Sequence, residues 1–258
     1  KERQYLDYQK MLTDEQPDIV SVATQPEQRS EIVIFAAEHG VSAIYAEKPM
    51  AASLQEADLM VKTIKKNNVV FNLGTNRRWD PRFDKMKEII DSGMLGPLQT
   101  IIVFDNGTLF NMASHWFDLI LRLNSDRPVS WVQAHINGIE DIQNDMIQED
   151  PAAHGLIQFE DGVTAYALLT TRRGETEAIC EQGSITALEG ETNWQLRVPG
   201  PTNNRGKPTL VPKKFPETES ASSSVMIIED LIHALDTGAA TRGGPQVALS
   251  STELIFGF

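Results

Sequence analysis

Cysteine is almost missing from the 258 residues. Cys180 stands alone, which excludes an intrachain disulfide and any cysteine-based zinc site and makes a reducing compartment such as the cytoplasm the easier fit. Positive charge is also short: 23 Lys and Arg face 36 Asp and Glu. The net charge of −13 repels phosphate backbones and anionic lipid surfaces, so no nucleic-acid or membrane partner is expected. Basic residues come in pairs such as Arg77-Arg78 and Lys213-Lys214, with no stripe interleaved with aromatics. No apolar run reaches the roughly 18 residues of a membrane span. Among His39, His115, His135, His154 and His233 no two are three or four apart, so no helical pair suggests a metal, and none is expected. A G-x-S-x-G elbow, a Walker phosphate loop and a G-x-G-x-x-G dinucleotide turn are all missing.

What remains is the composition of a folded chain, 41% hydrophobic and 23% charged, long enough for two modest domains. In the first third, short apolar runs alternate with amphipathic stretches, the mark of βαβ units and a parallel sheet. Strands are expected at 18–23, 42–46 and 69–73. Helices are expected at 30–38, at 53–66, where Ser53 and Glu56 have capping-box spacing, and at 80–92, opened by Asp80-Pro81 and stopped at Gly93. After Gly96-Pro97 the pattern turns to longer β-rich segments, which sets the expected boundary between domains 1–97 and 98–258. Strands are expected there at 98–105, 129–137, 153–159, 163–171, 177–180, 184–189 and 194–198, with Glu160-Asp161-Gly162 as a hairpin turn. Short turns between successive strands imply a mostly antiparallel sheet. A helix at 109–123 interrupts them. The stretch 199–224 holds five prolines and reads as a long loop, and helices at 225–236 and 246–256 follow.

Two places could carry chemistry. Lys48, in Glu47-Lys48-Pro49, follows the second strand, and open α/β sheets bind ligands outside their carboxyl strand ends. A lysine there donates to a substrate oxygen, or is a solvated surface charge. On the 109–123 helix, Asn111, His115, Asp118 and Arg122 fall in one arc of roughly 60° at helical periodicity, amid residues such as Met112, Trp116, Phe117 and Leu119. That stripe lines a cleft, with His115 as a proton-transfer group, or is an internally paired core network. The acidic pairs Glu140-Asp141 and Glu149-Asp150 read as solvated loops.

Taken in order, the pieces Val22-Ala23-Thr24-Gln25-Pro26, Glu47-Lys48-Pro49, Arg77-Arg78-Trp79-Asp80-Pro81, Ser92-Gly93-Met94-Leu95-Gly96 and 107–118, ending in His115-Trp116-Phe117-Asp118, resemble the Gfo/Idh/MocA family of NAD(P)-dependent oxidoreductases. The closing helix, Leu254 to Phe258, fits as well. The resemblance implies an α/β fold class: a partial Rossmann-type parallel sheet, then an α+β domain with a large, mostly antiparallel open sheet whose face often forms a homodimer or homotetramer, the last helices packing back toward the first domain. It implies NAD or NADP as cofactor and hydride transfer to or from a carbinol of a sugar, sugar acid or cyclitol. Thr24, Gln25 and Pro26 would line the nicotinamide ribose, and Glu47 and Lys48 would approach the nicotinamide. Lys48 would bond the substrate hydroxyl, His115 would be general base or acid, Asn111 would orient substrate or imidazole, and Arg78 would contact substrate or cofactor. The same scaffold implies two alternatives, NAD-dependent glycoside hydrolysis and a non-catalytic sugar-sensing or assembly role.

The chain also departs from the family pattern. Asn111 stands where many members have Asp, Arg29 where a His is common, and Ala113 where Gly is usual. The βαβ unit with the glycine-rich turn is expected before the strand at 18, so the chain reads as a fragment short by about 60 residues of a dinucleotide-binding domain.

Overall fold

The computed structural model describes residues 3–136, 150–169 and 174–258; Glu140-Asp141 and Glu149, like the expected strand residues 137, 170 and 171, lie outside the described residues. In chain order the elements are α1 (Tyr8–Glu15), β1 (Ile19–Val22), α2 (Pro26–Glu38), β2 (Ala43–Ala46), α3 (Leu54–Lys66), β3 (Val70–Leu73), a 3-10 turn (Asn76–Trp79), α4 (Pro81–Asp91), β4 (Leu98–Asp105), α5 (Ala113–Leu123) and β5 (Val129–Ile136). There follow β6 (Ala153–Phe159), β7 (Thr164–Leu169), β8 (Glu175–Cys180), β9 (Gly183–Leu188), β10 (Asn193–Thr202), β11 (Pro208–Lys213), α6 (Ser223–Thr237) and α7 (Pro245–Gly257). They form two compact units, one of Lys1–Trp79 with Ala221–Phe256 and one of Asp80–Ser220 with Gly257–Phe258. No described helix is long and apolar enough to cross a membrane.

The first unit is built on a three-stranded parallel sheet in the order β1-β2-β3, with Ile19 beside Ala43 and Ala43 beside Val70. The crossovers α2 and α3 start as the local chemistry dictates. Pro26 needs no backbone N–H partner at the first position of α2, and the Ser53 hydroxyl accepts from Glu56 N at 3.2 Å ahead of α3. Lys65 and Lys66 in the last turn of α3 favour its negative end. Val20, Val22, Val33, Ile44, Met60, Ile64 and Phe71 bury together with Leu249 of α7. At roughly 1.5–3 kcal/mol for each large apolar side chain, that burial is what holds the strands in place. Asn72, fully buried in β3, spends its whole amide on later chain: Nδ2 donates to Ile227 O at 3.1 Å and Asp230 Oδ2 at 2.9 Å, and Oδ1 accepts from Gly243 N at 3.0 Å.

The second unit carries an eight-stranded sheet in the order β11-β10-β9-β8-β4-β7-β6-β5, antiparallel except for the β4–β7 pair. Ile101 and Val103 of β4 and Ala165 and Ala167 of β7 are fully buried, and α5 packs on β7 with Trp116, Phe117, Leu119 and Ile120 inaccessible. The β6–β7 turn at 160–162 closes through Phe159 N to Val163 O at 2.9 Å, as its Glu-Asp-Gly sequence implies.

Three expectations are corrected. The proline-rich stretch is not one long loop: β10 runs on through Thr202 and pairs with β11. Because β11 is the sheet's outer strand, Pro208 and Pro212 can sit where no inner ladder asks for their missing N–H. The helix expected from 109 starts at Ala113, since Met112 N and Ala113 N both turn back to Thr108 O at 3.0 Å. Residues 8–15, which the periodicity leaves unassigned, form α1; Asp7 caps it, accepting from Gln9 N and Lys10 N, while only Leu12 within it is buried.

Candidate active site

In the first unit, chemistry collects where the parallel strands end. The chain leaves β1 through Ala23, Thr24 and Gln25 and turns directly into α2 at Pro26. It leaves β2 through Glu47 and Lys48, with Glu47 N bonded to Val22 O at 2.9 Å and Gly74 N, after β3, bonded to Ala46 O at 2.8 Å. These ladder bonds carry the parallel register past the strand ends, so Thr24, Gln25, Pro26, Glu47 and Lys48 occupy two neighbouring turns on one edge. Lys48 is half-buried, and the Lys48-Pro49 bond is cis.

Arg29, 2% exposed, ties the two turns together: Nη1 donates to Pro49 O and Nη2 to Thr24 O. Burial pushes its pKa down, opposed first by the Glu47 charge and then by Glu27. Glu47 is oriented by a second contact, accepting from Tyr45 Oη at 2.6 Å through Oε1, while Oε2 accepts from Lys48 N at 3.3 Å. Burial, and then the bond to Glu47, raises the Tyr45 phenol well above its ordinary value. Gly74 leaves room for this pair, since a Cβ there would stand 2.7 Å from Tyr45 Oη. The hydroxyls of Thr24 and Thr75, following β1 and β3, are buried with no hydrogen-bond partner among the described residues.

Arg78 follows β3, the third strand of the same sheet. It is 1% exposed in the 3-10 turn, with Nη1 donating to Arg242 O at 3.3 Å, while the Arg242 guanidinium donates to Arg78 O and lies 5.7 Å from the Trp79 ring centroid. The two arginines thereby brace the corner after β3.

In the second unit, His115 lies half-buried in the first turn of α5, its backbone N bonded to Met112 O at 3.1 Å, and Asn111 is exposed in the preceding turn. Of the polar stripe, Asp118 is buried and Arg122 donates to Asp84 Oδ1 of α4 at 2.6 Å. The next residue, Trp116, is anchored by Nε1 donating to the buried carboxylate of Asp105 at the end of β4.

Asp150, grouped above with solvated acids, is instead a bonded acceptor. Its carboxylate takes the Thr108 hydroxyl, Phe110 N at 2.8 Å and Asn111 N at 2.9 Å, while Leu109 N donates to Pro151 O at 2.8 Å. No local spacing could reveal this, because the partners lie about 40 positions apart and meet only through the sheet. Among the described residues no group of three or more His, Cys, Asp or Glu is arranged to hold a metal ion.

Comparison with known proteins agrees with this layout. Residues 1–75 match the sequence model GFO_IDH_MocA, described as an oxidoreductase family with an NAD-binding Rossmann fold. The chain is 31% identical over 133 residues to myo-inositol 2-dehydrogenase of Thermotoga maritima, a stretch covering 46% of this chain and 39% of that protein. It is 34% identical over 86 residues to scyllo-inositol 2-dehydrogenase (NAD(+)) of Bacillus subtilis, covering 33% and 25% of the two. The matched stretches thus span well under half of these curated relatives. Among solved structures, the aldose-aldose oxidoreductase of Caulobacter crescentus superposes with a TM-score of 0.78 at 17% identity, over 96% of this chain and 78% of that one. An NAD binding oxidoreductase of Klebsiella pneumoniae does so with a TM-score of 0.80 at 16% identity, over 98% and 80%. At such identities the structural likeness speaks for the fold, while the sequence matches make the first part of the chain similar to an oxidoreductase family with an NAD-binding Rossmann fold.

Proposed function

We propose that this chain belongs to an NAD(P)-dependent dehydrogenase or reductase that moves a hydride to or from a carbinol of a sugar, sugar acid or cyclitol. One observation carries the reading: two adjacent turns at the carboxyl edge of a parallel sheet present Thr24, Gln25, Pro26, Glu47 and Lys48, and within them the Thr24 hydroxyl is buried without a partner among the described residues. A buried hydroxyl left unbonded costs roughly 1–3 kcal/mol, which a polar ligand group would recover, so the residues fit a dinucleotide. Thr24, Gln25, Pro26, Glu47 and Lys48 would hold it, and when bound it supplies the carbon that takes or gives the hydride. The kinship with inositol dehydrogenases favours a polyhydroxylated substrate.

The protein's own groups handle the proton. The Lys48 ammonium donates to the reacting oxygen and stabilises its alkoxide. The His115 imidazole accepts the hydroxyl proton during oxidation and returns it during reduction, with Asn111 orienting the substrate or the ring. Arg78, in the turn that follows β3, would contact the substrate or the cofactor. A second copy would pack on the open sheet face, where Trp131 is 47% and Tyr166 41% exposed, giving a homodimer or homotetramer. A reducing cytoplasm suits the lone, buried Cys180.

The test is turnover of a panel of inositols, aldoses and sugar acids with NAD or NADP, followed by reduced-nicotinamide absorbance, beside direct titration of the reduced cofactor. Lys48→Ala and His115→Ala should each lower kcat/KM by about 10²–10⁴-fold with cofactor binding retained. Parent-like turnover in both variants, or a parent that binds neither cofactor, would overturn it.

A further inference from the structure

We infer that Asp150 is a positioning residue for the proton-transfer step, holding the turn that presents Asn111 and launches the His115 helix. The inference rests on the functional reading above. The turn at 108–112 has two layers of bonding. Internally, Met112 N and Ala113 N converge on Thr108 O, and His115 N reaches Met112 O. That leaves Phe110 N and Asn111 N pointing outward ahead of a helix whose cap position, Met112, offers no side-chain acceptor. These two amides precede the cap and meet no carbonyl within the turn, so they need acceptors from elsewhere. Asp150 supplies them, taking both amides and the Thr108 hydroxyl on one carboxylate, and Pro151 O takes the fourth donor, Leu109 N. Two consecutive residues just before β6 thus satisfy the outward donors of four consecutive residues, 108–111.

The charge matters as well as the count. An ionised carboxylate accepts at both oxygens and makes bonds roughly twice as strong as a neutral acceptor does. It also places negative charge at the amino end of α5, where the helix dipole favours it. Asp150 is exposed, where a solvated carboxylate would cost nothing. Its geometry is spent on the backbone of Asn111 and on the segment four residues ahead of His115. A shift of about 1 Å at a reacting group costs on the order of a hundredfold in rate.

The experiment compares parent, Asp150→Asn and Asp150→Ala for kcat and KM on the polyol the parent oxidises, for the dissociation constant of reduced cofactor, and for amide hydrogen exchange at Phe110 and Asn111. Asparagine keeps one acceptor oxygen and loses the charge, so the series is graded. The expected result is kcat lowered about 5–10-fold in the Asn variant and about 100-fold in the Ala variant, with cofactor binding unchanged and faster exchange at both amides. A parent-like kcat in a folded Asn or Ala variant overturns the inference, and so does an equal loss of cofactor binding, which marks general unfolding. If the parent itself turns over no polyol, the functional reading fails and the catalytic role falls with it. Exchange then tells the two failures apart, because amides that loosen only in the variants show a clamp that serves no such reaction.

Discussion

Arg29 donates to the carbonyl of Thr24 from a site 2% exposed, and its other terminal nitrogen reaches the carbonyl of Pro49, so one guanidinium spans two neighbouring strand-end turns. Arg29→Met should leave two carbonyls buried without a donor, at about 1–3 kcal/mol each. Urea denaturation should show the loss, and Arg29→Lys, which keeps the charge but not the fork, should lose about half as much. A Met variant as stable as the parent would show that water replaces the guanidinium freely.

Tyr45 should resist ionisation. Burial and the Glu47 carboxylate raise its pKa in the folded protein, so the stability it contributes is complete below the ordinary tyrosine value and is lost as pH rises through the folded one. Tyr45→Phe should therefore soften the fall in stability above pH ~10, and the native protein should lack one early phenolate step at 295 nm. An unchanged alkaline denaturation profile would contradict this.

Cys180 should be inert while the protein is folded. Burial pushes its thiol up to about 11, so little of it is thiolate near neutral pH. Ellman's reagent should label it only on unfolding, at a rate that follows denaturant concentration; rapid stoichiometric labelling of native protein would contradict the burial.

Gly107 should tolerate no side chain. A Cβ there would overlap Cβ and Cγ of Met112, whose backbone helps close the turn ahead of α5. Gly107→Ala should cost about 1–3 kcal/mol and lower kcat together with stability. Because Asp150→Asn leaves that volume untouched, it should separate the two effects by lowering kcat at nearly parent melting temperature.

Where signals are local, the residues announced their own structure. The alternation of apolar runs with a Ser53 cap located the parallel strands and α3, and with them Thr24, Glu47 and Lys48. Lys48 and His115 stood out as candidates because each belongs to a short motif. Asp150 was not, because its partners are set by which strands pair, and an acid among acids has no periodicity to betray it. Helix α1 escaped for a related reason, with only Leu12 facing a core. The hairpin through β11 was hidden by its prolines, which forbid an inner strand but not an outer one. The carbonyl of Arg242 that Arg78 meets was hidden because it lies 164 positions away.

The amide of Asn72 bonds to Gly243, 171 positions later in the chain. On the ribosome that gap has a temporal meaning. The strands of the first unit leave the exit tunnel before α6, the 241–243 segment and α7 that pack with them, which follow only after residues 80–220 of the second unit have been made. The second unit is contiguous over Asp80–Ser220 and can gather its sheet as it emerges, whereas the first must wait with part of its apolar surface uncovered. Its nascent strands thus wait for late residues of the chain before their core can close.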